Sequence, residues 1–342
     1  MKRILLAALL VVAAIGAHAQ EFKTPVEYLT FIGKETDQIA SNTWKYTKAV
    51  AHSKSARKID ATRTGLLKSI KAAAKKIEAA KNGYQGDVEY RNQLLAYLAI
   101  SEKYINEEYD KIINMQEVAE QSYDYMEAYI TARDLVNEKI NAEVDKLNAN
   151  QKTFANKYGI QITEDNSKLA QNMEVSNQVF KHQSDMYLLF FKVYITDANL
   201  MKAIEANDLN SIQQGSSALE QYANEGLEKV KALSLYKNDP ALANATKKIL
   251  EFYKKEAVEL VPEVVNFLMA RQKLEEMDKS LKSKNSPSKD EVTAFNKQVA
   301  EFNKLTGNYN KLNTKYFTDK NYAITAWNAA GDSFVSKHVP KD

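Results

Sequence analysis

Cysteine is absent from this 342-residue chain. That excludes disulfides, a thiol nucleophile, thiolate metal sites and the lipidated cysteine of a bacterial lipoprotein. Glycine (10) and proline (5) are scarce. The stretches 87–158 and 160–214 contain neither, so nothing in them forces a turn. A strong charge of one sign is missing too, with 47 basic and 44 acidic residues. Beyond the first twenty residues no run is apolar enough to span a bilayer. The densest, 186–195 (MYLLFFKVYI), is ten residues long and contains Lys192, where a spanning helix needs roughly 20 apolar residues. Catalytic signatures are also lacking. No Gly-x-Ser-x-Gly elbow or Gly-rich phosphate loop occurs. The residues three before His52, His182 and His338 are Ala49, Val179 and Val335, so the Glu-x-x-His pairs of a di-iron bundle are not there. Among these three histidines the only His-x-x-acid pair is His182 with Asp185, better suited to a surface hydrogen bond than to a metal. A non-enzymatic protein with no cofactor, no metal ligands and no catalytic residues is expected.

What is present begins with an export leader. Lys2 and Arg3 precede an apolar segment, 4–15, and Ala17-His18-Ala19 offers the small-x-small pattern of a cleavage site. Residues 1–19 read as a signal peptide, with Gln20 as the new N-terminus. The expected location is the periplasm, or outside the cell or on its surface. Loss of the leader leaves 45 basic and 44 acidic residues, a net charge of +1. Such a balance draws the chain neither to nucleic acid nor to an anionic membrane.

The remainder reads as helix. Apolar residues recur at helical spacing, for example Ile59, Leu66, Leu67, Ile70, Ala74 and Ile77, then Leu94, Tyr97, Leu98, Tyr104, Ile105, Tyr109 and Ile112. Start signals recur as well: Thr24-Pro25-Val26-Glu27, Asp87, Asp208, Asp239-Pro240 and Ser288-Lys289-Asp290-Glu291. The pattern predicts helices over 25–53, 55–82, 87–158, 167–206, 209–234, 240–284, 289–316 and 321–338. A break is expected within 106–114, and Pro262 should kink or split its helix. Stripes of this kind are stable only when buried against other helices. The fold class is therefore all-α, an extended multi-helix bundle with a docked C-terminal helical extension.

Phe154-Ala155-Asn156-Lys157-Tyr158-Gly159 echoes Phe302-Asn303-Lys304-Leu305-Thr306-Gly307 at an offset at which Glu143-Val144 also matches Glu291-Val292. Two readings stand: duplicated helical units, or chance likeness between helices of biased composition. The corresponding division is 20–160, 161–308 and an aromatic extension, 309–342.

Two constellations suit binding. Between 54 and 81 nine basic residues, Lys68, Lys71 and Lys75 among them, face two acids. This is either a surface for an envelope protein or anionic envelope component, or a helix face compensated by the acid-rich stretch 101–128. The last 35 residues carry Tyr322, Trp327 and Phe334, which with Trp44 are the candidate lining of a groove. The Tyr90, Tyr97 and Tyr104 heptad reads as a helix seam.

The leader, the cysteine-free helical body and the ending Trp327-Asn328-Ala329-Ala330-Gly331, Phe334-Val335, His338-Val339-Pro340 resemble a family of uncharacterised helical surface proteins of spirochaetes and other Gram-negative bacteria. The resemblance implies an exported all-α protein and carries over no activity. An exported binding or structural protein of the cell envelope is the expected function. The alternatives are a bundle that carries a small apolar ligand, motivated by 186–195 and 258–269, and a helical pore-former. The sequence leaves the oligomeric state open.

Overall fold

The computed structural model describes residues 22–53, 55–119, 122–162 and 167–341. The leader, with Ala17, Ala19 and Gln20, lies outside them. The protein is all-α. Its helices are α1 (Pro25–His52), α2 (Ala56–Ala79), α3 (Glu89–Ala119), α4 (Tyr123–Lys157), α5 (Lys168–Glu205), α6 (Leu209–Ala232), α7 (Ala241–Lys255), α8 (Val261–Lys282) and α9 (Lys289–His338). A short 3-10 turn, Tyr236–Asn238, precedes α7, and a π-helical segment, Glu256–Leu260, joins α7 to α8. Among the described residues the only extended pairing is an isolated bridge between Tyr84 and Asp87. No described helix is long and apolar enough to cross a membrane.

The start signals act as expected. The Ser288 hydroxyl accepts from the Glu291 N–H while the Glu291 carboxylate accepts from the Ser288 N–H, a complete capping box. Asp208 accepts from the N–H groups of Asn210 and Ser211. At α1, Thr24 accepts from the Glu27 N–H, but Glu27 reaches back one residue further, to the N–H of Lys23.

Three expectations are corrected. The break in 87–158 falls between Ala119 and Tyr123 rather than within 106–114. Ser122, a favoured N-cap residue, stands immediately before α4. The separate helices 289–316 and 321–338 are one helix. No glycine or proline interrupts 308–330, and the Lys315–Asp319 pair bridges one turn across the supposed gap. Residues 309–342 are therefore not a separate extension, although their apolar side chains do dock. Pro262 interrupts its helix as predicted. It lies in the first turn of α8, directly after the π segment, where the backbone departs from regular α hydrogen bonding.

Two compact units form, and they do not follow the linear division. The first takes described residues 22–43, 60–107 and 137–162; the second takes 44–53 and 55–59, 108–119 and 122–136, and 167–341. In the first, the α2 stripe (Leu66, Leu67, Ile70, Ile77) and the α3 residues Leu94 and Leu98 are buried with Tyr28 and Ile32 of α1. Aromatic rings close one end: Phe154 lies 5.2 Å from Tyr28 and 4.6 Å from Tyr158.

In the second unit α5 packs against α6, α7 and α9, and α8 against α9. The apolar run of α5 supplies Met186, Phe190 and Val193 to this core, while Phe191 and Ile195 pack with Met126 of α4 in a smaller cluster, so more than one face of the helix is buried. Removing such area from water, at about 25 cal/mol per Å2, is the main stabilisation open to a chain without cross-links. α6 and α7 approach closely at Gly226, where an added Cβ would lie 3.0 Å from the methyls of Leu250.

The turn between α2 and α3 carries left-handed backbone at Gly83, Gln85 and Gly86. A Cβ on Gly83 would sit 2.0 Å from the carbonyl oxygen of Asp87, whereas one on Gly86 would meet open space. Gly83→Ala should therefore destabilise the first unit by more than about 2 kcal/mol, and Gly86→Ala by about 1 kcal/mol, from positive φ alone. Urea denaturation of the two variants measures both; equal costs would contradict this reading of the turn.

Candidate functional site

An open groove of about 760 Å3 lies beside the α2–α3 turn of the first unit. The turn contributes Asp87, the first turns of α3 contribute Glu89 and Asn92, and the end of α4 contributes Asn150, Lys157 and Tyr158. Its chemistry is organised around Asp87, which accepts from Lys157 Nζ at 2.7 Å and from the Tyr158 hydroxyl at 3.3 Å. These bonds outweigh partial burial and hold the Asp87 carboxyl below its ordinary range. Tyr158 is fixed by edge contact with Tyr84 at 5.0 Å. The wall thus presents carboxylate acceptors, amides that both donate and accept, an ammonium and a phenol on a braced scaffold. With two carboxylates and one ammonium it carries no excess positive charge to draw an anion.

A second constellation lies inside the second unit. Lys320 of α9 donates to Asp197 of α5 at 2.8 and 2.9 Å, and its ammonium is 2.9 Å from Glu256 at the start of the π segment. Asp197 is 4% exposed and Glu256 1%. Oε2 of Glu256 and the hydroxyl of the fully buried Tyr253 are enclosed without hydrogen-bond partners. Burial pushes the carboxyls of both Asp197 and Glu256 upward, Glu256 to about 8. Nearby, Tyr316 donates to Glu259 at 2.8 Å. These residues escaped the sequence reading because each resembles an ordinary surface charge. A signal was nonetheless there. Asp197 is four residues after Val193 and three before Leu200; Glu256 lies between Tyr253 and Leu260; Lys320 lies between Tyr316 and Trp327. Each charge sits on an apolar stripe.

The predicted aromatic groove takes a different form. Trp44 (8% exposed), Trp327 (4%) and Phe334 (2%) belong to the core of the second unit. Trp327 stacks on Phe190 at 4.2 Å, and its indole N–H donates to the Thr246 hydroxyl at 3.0 Å. These rings are closed in by the helices, so they line no accessible surface. Tyr322 is apart from them, 76% exposed. Lys68, Lys71 and Lys75 project from α2. Lys71 lies 3.3 Å from Glu102 of the acid-rich stretch, and neighbouring Lys76 is 2.8 Å from Glu35. The basic face is compensated at these points from within the first unit.

His182 does not make the expected bond to Asp185, whose carboxylate lies 3.7 Å from Lys181. The imidazole rests against Phe334 at 5.3 Å with Nε2 enclosed and unpartnered, and burial lowers its basicity. Among the described residues no three or more of His, Asp and Glu converge as metal ligands. The chain matches no protein-family model, no curated protein and no solved structure.

Asp239 ties the end of α9 to the start of α7. It caps Ala241 and accepts from Lys337 Nζ and His338 Nε2, each at 2.7 Å. The Lys337 hydrogen bond is the largest of the influences holding its carboxyl well below the usual range. A depressed carboxylate stabilises the fold above its unfolded value, near 3.8. That contribution disappears as pH falls through the folded value. Asp239→Asn should cost about 1–3 kcal/mol at pH 7. Against wild type, the difference should persist to pH 4 and shrink below it. Urea denaturation of both proteins across pH 2.5–7 measures this; a difference independent of pH would refute it.

Proposed function

We propose that the chain is an exported, non-enzymatic binding protein of the cell envelope, and that its ligand occupies the groove beside Asp87. The carrying observation is the groove itself: a concavity of about 760 Å3 whose polar groups converge on a braced Asp87–Lys157–Tyr158 unit. Ligand sites are concave and largely preformed, with a few placed polar groups that set specificity. Mixed donors and acceptors without excess positive charge favour a neutral, hydroxyl-rich ligand, such as an envelope oligosaccharide. The leader supports export, and the likeness to helical surface proteins agrees with it.

The apolar-carrier reading loses its motivating feature. The run 186–195 buries five side chains, three in the main core of the second unit and Phe191 and Ile195 against Met126, and Leu260, Val261, Val264 and Leu268 are buried in that main core. Helix packing accounts for that hydrophobicity without a ligand. The pore-forming reading drew on the same run.

Calorimetric titration of the mature protein with neutral oligosaccharides prepared from the envelope tests the proposal. Binding should weaken about tenfold in Asn92→Ala or Asn150→Ala, the scale of one lost hydrogen bond. It should be unchanged in Tyr322→Ala. Absence of binding, or equal binding by all variants, would refute this assignment. Mass spectrometry of the exported protein should find a chain beginning at Gln20; a retained leader would refute export with cleavage.

A further inference from the structure

The buried charges of the second unit have no part in the proposed groove. Two carboxylates, Asp197 and Glu256, face one ammonium, Lys320, and both carboxylates are buried. If both carboxylates were ionised the cluster would hold a net negative charge in a low-dielectric interior, which is costly unless it is matched. The surroundings do not match it. From α5 the neighbouring titratable groups are Asp197 itself and Tyr194; from α7, Tyr253 and Lys255. Lys255 is half-exposed and directed at Glu259, 3.7 Å away. From the π segment come Glu256 and Glu259, and Glu263 follows on α8. From α9 come Tyr316, Lys320 and Asp319, the last paired with Lys315. The group that α6 sends to this segment is a neutral hydroxyl, Ser216, donating to the Ala257 carbonyl. Among the described residues Lys320 is the only cation within hydrogen-bonding distance of either carboxylate.

The missing positive charge is most simply a proton. Asp197 and Glu256 converge on the same Lys320 ammonium, at 2.8 and 2.9 Å, so one proton held between the two carboxyls leaves a single negative charge to match the single positive one. The geometry places that proton where it controls backbone structure. Glu256 opens a π turn, whose wider i→i+5 hydrogen bonding is seen in the Val261 N–H donating to the Glu256 carbonyl.

We propose that Asp197 and Glu256 form a proton-binding site that locks the second unit: one shared proton holds the π segment against α5 and α9, and its release loosens that segment. The closed state binds a proton that the opened, solvated state gives up. The folded value is raised above the unfolded one, near 4.5, so the stabilisation is complete below about pH 4.5. It declines as pH rises toward about 8 and is level beyond that. One proton released on opening makes the opening equilibrium grow tenfold per pH unit through this interval. The two carboxyls titrate as a pair, so the site is defined by the shared proton rather than by either residue alone.

The test uses the whole chain. Amide hydrogen exchange at 257–261, corrected for intrinsic exchange rates, is followed from pH 5 to 9 in wild type and in Glu256→Gln. The amide has nearly the same shape and cannot titrate. Wild-type protection should fall about a hundredfold between pH 5.5 and 7.5 and level off beyond about 8; the variant should be flat. Parallel slopes in the two proteins would overturn the proposal. Should the variant fail to fold, carbon-detected NMR of the wild-type Asp197 and Glu256 carboxyls decides the matter. One proton still held by the pair at pH 6.5 supports the lock, and ordinary titration of both carboxyls overturns it.

Discussion

Apolar burial between helices has to hold this protein together, because no covalent cross-link is available to a chain without cysteine. Isolated helices of this composition are marginal in water, so each one depends on the faces it covers. The consequence is visible in α5, which lies against α6, α7 and α9 and buries residues on several sides. Tyr316, Trp327 and Phe334 of α9 are enclosed in the same core. The C-terminal residues are therefore integral to the second unit. Their polar atoms are matched as they enter, the Trp327 indole to Thr246 and the Tyr316 hydroxyl to Glu259.

Against that apolar background the few buried charges stand out energetically. Exposed pairs such as Lys231–Glu228 or Lys282–Asp278 contribute little, since water screens them. Lys320 with Asp197 and Glu256 belongs to another regime, where removal of one partner strands the others in the interior. Lys337 and Asp239 lie between these extremes, with an exposed ammonium on an enclosed carboxylate. A folded chain with near-balanced charge thus concentrates its electrostatic sensitivity in two places on α9.

Helix positions were readable in the chain because capping chemistry is local. Ser288 and Glu291, or Asp208 and Ser211, are three residues apart and act on the backbone between them. What was not readable depends on distant partners. The continuity of α9 through Phe317 and Thr318 reflects the absence of any breaker together with the anchoring of Tyr316 and Lys320 on either side. Trp44, Trp327 and Phe334 invited a binding role as aromatic residues, but their destination depended on which helices covered them. Asp87 was legible only as a cap. Its role as acceptor for Lys157 and Tyr158 comes from a helix end 70 residues later. The groove around it arises from the folded turn between α2 and α3.

The π segment also settles a matter of phase. A π turn takes up more residues than an α turn while advancing the chain little, so it acts as a one-residue insertion absorbed without rotating the next helix. Ile249 and Tyr253 before it, and Val261, Val264 and Leu268 after it, all remain buried. Had the extra residue been accommodated as plain α-helix, the downstream face would have swung by about 100° at 3.6 residues per turn. Leu268 would then have turned toward solvent. The local irregularity keeps two helical stretches of incommensurate length in common register, in the manner of a leap day in a calendar.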